Sequence, residues 1–329
     1  MEFNQEVKQA TDPIYKKISK VMPEIEWSVH APYIHKINKL KKEKNAVILA
    51  HNYQTPEIYH GISDFSADSL ALAIEASKTK ANIIIMCGVH FMAETAKLMS
   101  PEKKVFLPDM LAGCSLSSSI TGEDVRNLKK KHPGVPVVSY VNTSADVKAE
   151  TDVCCTSANA VKIVNSLGVK KVIFLPDDYL AKYVASQTNI EIISWKGTCE
   201  VHEQFNDHEI NEIRKNNPGI KIIAHPECPP DVIKASDFAG STSGMIKYVK
   251  DNQPEKVMMV TECSMSDNVK IDNPKVQFIR PCNLCPHMKR ITLPKVLDCL
   301  ENETNEIVMS KETIQKARKS VERMAEIGR

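Results

Sequence analysis

The stretch that decides the fold is Lys221–Cys228, which reads KIIAHPEC and is followed by SDFAGST at residues 236–242. It combines a short apolar strand, polar side chains where the strand ends, and a Ser/Thr-rich turn that opens a helix. The pattern occurs twice more, as VILAHNY at 47–53 with SDFSADS at 63–69, and as VVSYVN at 137–142 with TDVCCTS at 151–157. A unit that recurs in this way predicts a chain built from three similar modules.

Two further features recur in the same register. Each copy carries an Asp after a Ser or Thr, and a hydroxyl returns five residues later; the pairs are Asp64 and Ser69, Asp152 and Ser157, and Asp237 and Thr242. Each copy also ends on a cysteine 50, 47 or 48 residues after its Asp, and these cysteines are Cys114, Cys199 and Cys285. The shared spacing indicates that the modules place these residues in equivalent positions.

The composition is that of an ordinary globular protein. Of the 329 residues, 42% are hydrophobic and 26% are charged, and the net charge is +2. Because nucleic-acid binding needs a basic surface, this near-neutral balance argues against DNA or RNA as the main partner. No run approaches the roughly 20 apolar residues of a membrane span, and the first residues, MEFNQE, lack the apolar core of a signal peptide. We therefore expect a cytoplasmic protein without a membrane partner.

Short apolar strands alternate along the chain with amphipathic helices, which is typical of βαβ units with helices on both faces of a parallel sheet. Helices stop at Pro133-Gly134 and Pro218-Gly219, and we take these stops as domain boundaries. The predicted fold is α/β, with three αβα units of three strands each, arranged with pseudo-threefold symmetry around a central active site. The predicted domains are residues 1–132 with an N-terminal helical arm, 133–217 and 218–300, followed by a C-terminal helix at 301–329.

Polar side chains follow the first strand of each module. Ligands of parallel sheets bind beyond the carboxyl ends of the strands, so we expect these side chains to face one central space; they are His51, Asn52 and Tyr53, Tyr140 and Asn142, and His225 and Glu227. Glu227 is either a general base or a partner of His225, and the two histidines are either ligand-binding or satisfied core residues. The hydroxyls of Ser69, Ser157 and Thr242 are either plain helix N-caps or parts of an anion site. Three such helix ends would suit a small ligand with several negative groups.

The ten cysteines divide into two groups. In a reducing compartment they are not expected to form a disulfide framework, and metal or catalytic use is favoured. For Cys114, Cys199 and Cys285 we expect a shared metal centre, because all-thiolate ligation suits an iron–sulfur cluster or zinc. Three thiolates would leave one metal position open, as in a catalytic site. The other seven have no counterparts between modules, and most are expected to be small buried hydrophobic residues.

Longer motifs carry a resemblance to a known family. They are HNYQ at 51–54, CGVHFMAETAK at 87–97, LPD at 107–109, AGCS at 112–115, YVNTSA at 140–145, WKG at 195–197, AHPEC at 224–228 and GST at 240–242. In these motifs the chain resembles the quinolinate synthase family, the A protein of de novo NAD biosynthesis. The resemblance covers the chain from about Ile34 to Leu300.

This resemblance implies a fold, a cofactor and a reaction. Members of the family fold as three αβα domains about a pseudo-threefold axis and hold a [4Fe–4S] cluster with one Cys from each domain, here Cys114, Cys199 and Cys285. The iron without a protein ligand acts as a Lewis acid. The implied reaction condenses iminoaspartate with dihydroxyacetone phosphate to give quinolinate, phosphate and water. An L-aspartate oxidase is the expected source of the iminoaspartate.

The resemblance also implies roles for individual residues. The iminoaspartate site would comprise His51, Ser69, Tyr140, Asn142, Ser157, His225, Glu227 and Thr242. We expect Glu227 to act as the catalytic base, with His225 as a catalytic neighbour and Tyr53 relaying a proton or gripping phosphate. One departure is that some relatives carry a third cysteine where this chain has Ile279, which leaves open any redox role of Cys282.

Two other functions fit the same residues. A zinc-bound hydrolase or lyase would use the same three thiolates, and a non-catalytic module would use the crevice only to capture a dicarboxylate. Metal analysis after anaerobic purification separates iron from zinc. Turnover to quinolinate separates an enzyme from a binding module.

Overall fold

The computed structural model describes residues 1–280 and 282–328, so that Pro281 and Arg329, the last residue of the expected C-terminal helix, lie outside the described residues. The chain divides into two compact units. The first unit contains Met1–Ala112, Cys263–Pro274 and Leu284–Ile307, and the second contains Gly113–Glu262, Lys275–Asn283 and Val308–Arg329.

Twelve strands occur among the described residues, and every pairing between them is parallel. They are β1 (Ala46–His51), β2 (Phe65–Ala67), β3 (Ile83–Cys87), β4 (Lys104–Phe106), β5 (Val137–Tyr140), β6 (Val153–Cys155), β7 (Lys171–Leu175), β8 (Glu191–Ser194), β9 (Lys221–Ala224), β10 (Phe238–Ala239), β11 (Lys256–Val260) and β12 (Gln277–Ile279). The strands form three sheets of four strands each.

Sixteen α-helices occur in the same described part of the chain. They are α1 (Gln5–Ile18), α2 (Glu24–Glu43), α3 (Pro56–Tyr59), α4 (Ser69–Lys78), α5 (His90–Met99), α6 (Ser115–Ser118), α7 (Gly122–Lys131), α8 (Ala145–Ala149), α9 (Ala160–Ser166), α10 (Asp178–Ser186), α11 (Asp207–Asn216), α12 (Pro230–Ala235), α13 (Thr242–Asn252), α14 (Ser264–Asp272), α15 (Leu293–Asn302) and α16 (Lys311–Gly328). None of these helices is long and apolar enough to cross a lipid bilayer.

The first unit is built on a sheet with the strand order β2-β1-β3-β4. The sequence of β3, IIIMC, is buried at every position, as expected for a parallel strand covered on both faces. Helices α1 and α2 form the expected N-terminal arm. Trp27 of α2 is buried and stacks on Tyr15 of α1 with ring centroids 5.3 Å apart, so the arm is held by its own apolar contact.

The second unit contains two sheets, with the orders β6-β5-β7-β8 and β10-β9-β11-β12. The C-terminal helix α16 packs on α8 and β6. Ser320 of α16 is fully buried; its hydroxyl donates to the Lys148 carbonyl at 3.0 Å, and the Cys154 thiol approaches the same hydroxyl at 3.4 Å. Helix α16 therefore covers the sheet with the order β6-β5-β7-β8.

All three sheets share one order, in which a short edge strand lies beside the first strand of the module. This confirms the prediction of an α/β chain with three similar αβα units and parallel sheets. The expectation of three strands per unit was wrong, because β2, β6 and β10 each add a fourth. These segments have only two or three residues, too few for an alternating pattern to reveal. The pseudo-threefold arrangement and the domain boundaries stay predictions.

The recurring Asp joins each edge strand to the first strand of its module. The Asp carboxylate accepts the backbone N–H of one residue in the first strand. The backbone N–H of the Asp donates to the carbonyl of that same residue. The pairs are Asp64 with Ile48, Asp152 with Val137, and Asp237 with Ile222, with carboxylate distances of 2.8, 2.7 and 2.8 Å and carbonyl distances of 2.9, 3.1 and 2.7 Å. The repeat noticed in the sequence is thus a repeated strand pairing.

The three recurring hydroxyl residues are not N-caps. Ser69 and Thr242 are the first residues of α4 and α13, and the caps are the preceding Asp68 and Ser241, whose side chains accept backbone N–H groups. Ser157 lies before Asn159, the residue that precedes α9. The plain N-cap interpretation is therefore wrong for all three residues.

Eight cysteines are free, whereas Cys263 and Cys282 are disulfide-bonded. Five of the free ones behave as small buried hydrophobic residues, as expected; they are Cys87, Cys154, Cys155, Cys228 and Cys299. The three cysteines with counterparts in each module, Cys114, Cys199 and Cys285, are free and half-buried. The sequence analysis expected most of the seven cysteines without counterparts to be buried hydrophobic residues, and Cys263 and Cys282 are the two that differ.

Candidate active site

Tyr140 and Glu227 meet in the second unit. Tyr140 is the last residue of β5, and Glu227 follows β9, so both side chains come from carboxyl ends of parallel strands. The Tyr140 hydroxyl donates to Glu227 Oε1, and the two residues are 4% and 3% exposed. A carboxylate this deeply buried needs donors to remain charged, and Tyr140 supplies one of them.

His225 lies beside this pair and contacts Ser157. The Glu227 N–H donates to His225 Nδ1 at 3.4 Å, so Nδ1 carries no proton and Nε2–H donates to the Ser157 hydroxyl at 3.1 Å. Burial lowers the pKa of His225 to about 4, although nearby Glu227 acts in the opposite direction. The ring is therefore neutral at neutral pH and holds Ser157 in place.

His202 is the second histidine of this cluster. Its ring stacks on His225 with centroids 4.8 Å apart. Its Nδ1 lies 2.8 Å from Glu227 Oε2 and 3.1 Å from Cys199 Sγ, and its Nε2 lies 2.9 Å from the Thr261 hydroxyl. Cys199, His202 and Glu227 together form a group whose donor atoms all lie within 4.8 Å of one another, close enough to hold a metal ion.

Two buried carboxyl groups in this region are pushed in opposite directions. Burial alone would raise the pKa of Glu227, but His225, His202 and the Tyr140 hydroxyl outweigh it and hold the pKa well below its usual value. Because His225 is itself neutral above pH 4, we attribute this effect at neutral pH to hydrogen bonds from His202 and Tyr140. Burial, and next the charge of Glu227, raises the pKa of Asp177 well above its usual value. Opposed shifts of neighbouring carboxyl groups are typical of active sites.

The segments that carry Cys114 and Cys199 are hydrogen-bonded to each other. The Ser115 hydroxyl donates to the Thr198 carbonyl and accepts the Glu200 N–H, both at 3.1 Å. Burial, followed by the charges of Glu227 and Cys114, raises the pKa of the Cys199 thiol well above its usual value. The two thiols are thus close enough to interact electrostatically, and a bound metal cation would offset the accumulated negative charge.

The Cys199 backbone is held by Asp177. The Asp177 carboxyl accepts the Cys199 N–H at 3.2 Å with one oxygen and caps α10 through the Leu180 N–H at 2.7 Å with the other. Asp177 is fully buried. It therefore fixes the start of α10 and the position of the Cys199 loop at the same time.

Asn142 and Thr242 complete the predicted residues of the second unit. Asn142 Oδ1 is buried and accepts no hydrogen bond from the described residues. A buried acceptor without a donor costs free energy unless a ligand supplies the donor. Thr242 is 4% exposed at the start of α13.

The remaining predicted residues belong to the first unit. His51 ends β1 and is 5% exposed, and its ring meets that of Tyr53 edge to face with centroids 4.6 Å apart. The Tyr53 N–H donates to His51 Nδ1 at 3.2 Å, and Lys289 Nζ donates to the Tyr53 carbonyl at 2.8 Å. Ser69 is half-buried at the start of α4, and Cys285 lies at the beginning of the last segment of this unit.

Three residues of the cluster were missed by the sequence analysis. His202 had a signal, since it follows Cys199 by three residues, a spacing common among metal ligands. Asp177 also had one, because LPD recurs at 107–109 and 175–177 directly after a strand. Thr261 had no sequence signal except that it follows the apolar strand β11.

Comparison with known proteins places the chain in one family. The family model for quinolinate synthetase A protein matches residues 35–326. Three similar relatives carry the name quinolinate synthase. The Sinorhizobium fredii protein is 58% identical over 325 residues, covering 99% of this chain and 90% of the relative. The Caulobacter vibrioides protein is 54% identical over 329 residues with the same coverage. The Xylella fastidiosa protein is 57% identical over 294 residues, covering 89% of this chain and 87% of the relative.

These matches span nearly the whole chain at identities far above the range in which only the fold is shared. They agree with the resemblance found in the sequence motifs. The group of Cys199, His202 and Glu227 is compatible with metal binding. The chain belongs to the quinolinate synthetase A protein family.

Proposed function

We propose that this protein is a quinolinate synthase of NAD biosynthesis. It condenses iminoaspartate with dihydroxyacetone phosphate, releasing phosphate and water. The observation that carries the proposal is the buried Glu227 carboxylate, which lies between the Tyr140 hydroxyl and His202 Nδ1. The same His202 Nδ1 also lies 3.1 Å from Cys199 Sγ. An acid–base group thus adjoins a candidate metal ligand in a chain of the matching family.

We further propose that Cys114, Cys199 and Cys285 hold a [4Fe–4S] cluster. The donor set fits, since all three thiols are free, thiolates are the usual ligands of such clusters, and the Cys114 and Cys199 segments are hydrogen-bonded to each other. When bound, the cluster supplies a Lewis-acidic iron that can polarise a substrate oxygen. Three thiolates leave one iron without a cysteine ligand.

The substrate-binding residues form the next part of the proposal. Iminoaspartate would be bound by His51, Ser69, Tyr140, Asn142, Ser157, His225, Glu227 and Thr242. The buried Asn142 Oδ1 needs an N–H donor, and the imine nitrogen of the substrate can provide one. The Ser157 hydroxyl accepts the His225 Nε2–H and can donate its own proton to a substrate carboxylate.

Proton transfer is assigned to Glu227, with His225 and Tyr53 assisting. Glu227 is ionised at neutral pH and so is able to accept a proton. Its proton affinity is low while Tyr140 and His202 both donate to it, and it rises when one of these donors turns to the substrate. His225 keeps its neighbour Ser157 oriented, and Tyr53 relays a proton or grips the phosphate of the triose.

The cellular setting follows from the same chemistry. Eight free thiols and an iron–sulfur cluster persist in a reducing compartment, so we propose a cytoplasmic location. The small-molecule substrates are iminoaspartate and dihydroxyacetone phosphate, with an L-aspartate oxidase as the source of the first. We also propose that the three αβα units form separate domains, 1–132, 133–217 and 218–300, around the active site.

Anaerobic turnover tests the proposed function. Protein purified without oxygen should form quinolinate from iminoaspartate and dihydroxyacetone phosphate, and should lose this activity together with its visible absorbance in air. An intact cluster with no quinolinate would favour a dicarboxylate-binding module. One zinc per chain without sulfide would favour a zinc hydrolase or lyase, which the group of Cys199, His202 and Glu227 would also fit.

A further inference from the structure

The His202 ring is fixed by three neighbours in the second unit. Nδ1 faces Glu227 Oε2 at 2.8 Å and Cys199 Sγ at 3.1 Å, and Nε2 faces the Thr261 hydroxyl at 2.9 Å. His202 is 1% exposed and Thr261 is fully buried. Since both ring nitrogens are engaged within the protein, the orientation of the ring is decided by these side chains and not by solvent.

The hydrogen bonds require a particular tautomer of this ring. An ionised carboxylate only accepts hydrogen bonds, so the nitrogen that faces Glu227 must be Nδ1–H. A neutral imidazole with Nδ1–H has an unprotonated Nε2, which accepts a hydrogen bond. Thr261 is the neighbour of Nε2, and its hydroxyl is able to donate to it. In other histidine sites, the partner of one ring nitrogen decides in the same way what the other can do.

Thr261 directly follows β11, the strand that pairs with β9. The paired strand leads into His225 and Glu227, and the His225 N–H donates to the Val260 carbonyl at 3.2 Å. Thr261 is therefore fixed relative to the Glu227 turn by the sheet itself. Its hydroxyl is the part of the side chain that contacts His202, and valine would have the same shape without a donor.

We propose that Thr261 is a positioning residue that acts through His202. Its hydroxyl donates to His202 Nε2 and so holds Nδ1–H on Glu227 Oε2, which leaves Glu227 Oε1 with Tyr140 as the oxygen directed to the substrate. Without the hydroxyl, Glu227 still selects Nδ1–H, but Nε2 loses the donor that it faces, and the ring is no longer held in this orientation. The kinetic consequence of this inference rests on the proposed function, whereas the tautomer does not.

The kinetic test compares Thr261→Val with Thr261→Ser in the anaerobically purified protein. The Val variant should lower kcat for quinolinate formation by about 10- to 100-fold, with an unchanged KM for iminoaspartate and an unchanged iron content. The Ser variant keeps the donor and should restore kcat to within about threefold of the original protein. A Val variant with unaltered kcat, or one that loses iron and activity together, overturns the inference.

The tautomer itself is measured by nitrogen-15 spectra of histidine-labelled protein, with the His202 signal identified by its loss in His202→Gln. The expected result is a ring protonated at Nδ1 in all three proteins, with an Nε2 signal that is the same in the original protein and Thr261→Ser and shifted in Thr261→Val, where the hydrogen bond to Nε2 is lost. A ring protonated at Nε2 in the original protein overturns the inference. If that protein forms no quinolinate, the proposed function fails, and the spectra alone decide the role of Thr261.

Discussion

At the scale of single residues, Glu227 combines two properties that oppose each other. It is 3% exposed, which disfavours a charge, yet it accepts hydrogen bonds from Tyr140 and His202 that favour the charge. Its ionisation therefore depends on these two donors, and the proposed mechanism requires the substrate to displace one of them. The role of base proposed for Glu227 depends on this exchange.

Replacement of Glu227 by glutamine tests that role. Gln keeps the shape and one hydrogen-bond acceptor but has no basic oxygen, so turnover should fall by a factor on the order of 10² to 10⁴ while iminoaspartate still binds. Steady-state kinetics and a binding measurement under anaerobic conditions check both parts. Glu212→Gln, on the exposed face of α11, serves as the control. Turnover near the original value in Glu227→Gln would remove this residue from the role of base.

His225 predicts how stability changes with pH. Its pKa is about 4 in the folded protein and about 6.5 in an unfolded chain, so the unfolded chain binds more protons between these values. Stability therefore rises with pH across this window and falls as the pH drops from about 6.5 to 4. The loss attributable to His225 reaches about 3 kcal/mol at and below pH 4.

Urea unfolding of the original protein and His225→Asn over this pH range measures the effect. Asn does not titrate, so the variant should lose less stability than the original protein as the pH falls. His208→Asn replaces an exposed histidine and should follow the original protein. Parallel curves for His225→Asn and the original protein would contradict the assigned pKa.

At the scale of elements, the same strand pairing is built three times around an Asp. Asp237 accepts the Ile222 N–H at 2.8 Å and pairs with Arg214 at 3.1 Å. Ile222 is fully buried, so its N–H has no access to water if the carboxylate is removed. The backbone polar group would then lack an acceptor, which is the costly outcome for a buried donor.

Asp237→Ala should therefore lower the free energy of unfolding by about 1–3 kcal/mol. Asp251→Ala is the matched control, because Asp251 also has a basic partner, Lys247, but lies on the surface of α13 and pairs no strand. The control should change the free energy of unfolding by less than about 0.5 kcal/mol. Urea unfolding of both variants gives the comparison, and equal effects would show that the strand pairing contributes nothing.

The elements also show where sequence reasoning succeeds and fails. Four of the inner strands, β1, β3, β7 and β11, were predictable because four or five consecutive apolar residues mark a strand buried on both faces. The shorter apolar runs of β5 and β9 were predictable because they open copies of the repeat. The edge strands β2, β6 and β10 were not, because such short segments carry no periodicity and form only through pairing with β1, β5 and β9. The contacts of Tyr140 with Glu227 and of Ser157 with His225 agree with the expectation that polar side chains beyond the carboxyl ends of strands face one space, although β5 and β9 belong to different sheets. His202 and Thr261 became visible only through their contacts.

At the scale of the whole molecule, we propose that one cysteine from each of the three αβα units binds the cluster. The five buried, free cysteines have no such role, and burial raises the pKa of thiols such as Cys154. Burial raises the pKa of the Cys199 thiol as well, so the proposed ligands are distinguished by their recurrence in the three modules and not by their pKa. The proposal therefore separates ligand cysteines from packing cysteines within one chain.

The most direct test is an iron and sulfide count on anaerobically purified protein, with Cys114→Ala and Cys154→Ala measured side by side. The original protein and Cys154→Ala should each contain about four iron and four sulfide ions per chain, and Cys114→Ala should contain far less of both. A Cys114→Ala variant with the full content of iron and sulfide, or an original protein with zinc and no sulfide, would contradict a cluster held by Cys114, Cys199 and Cys285.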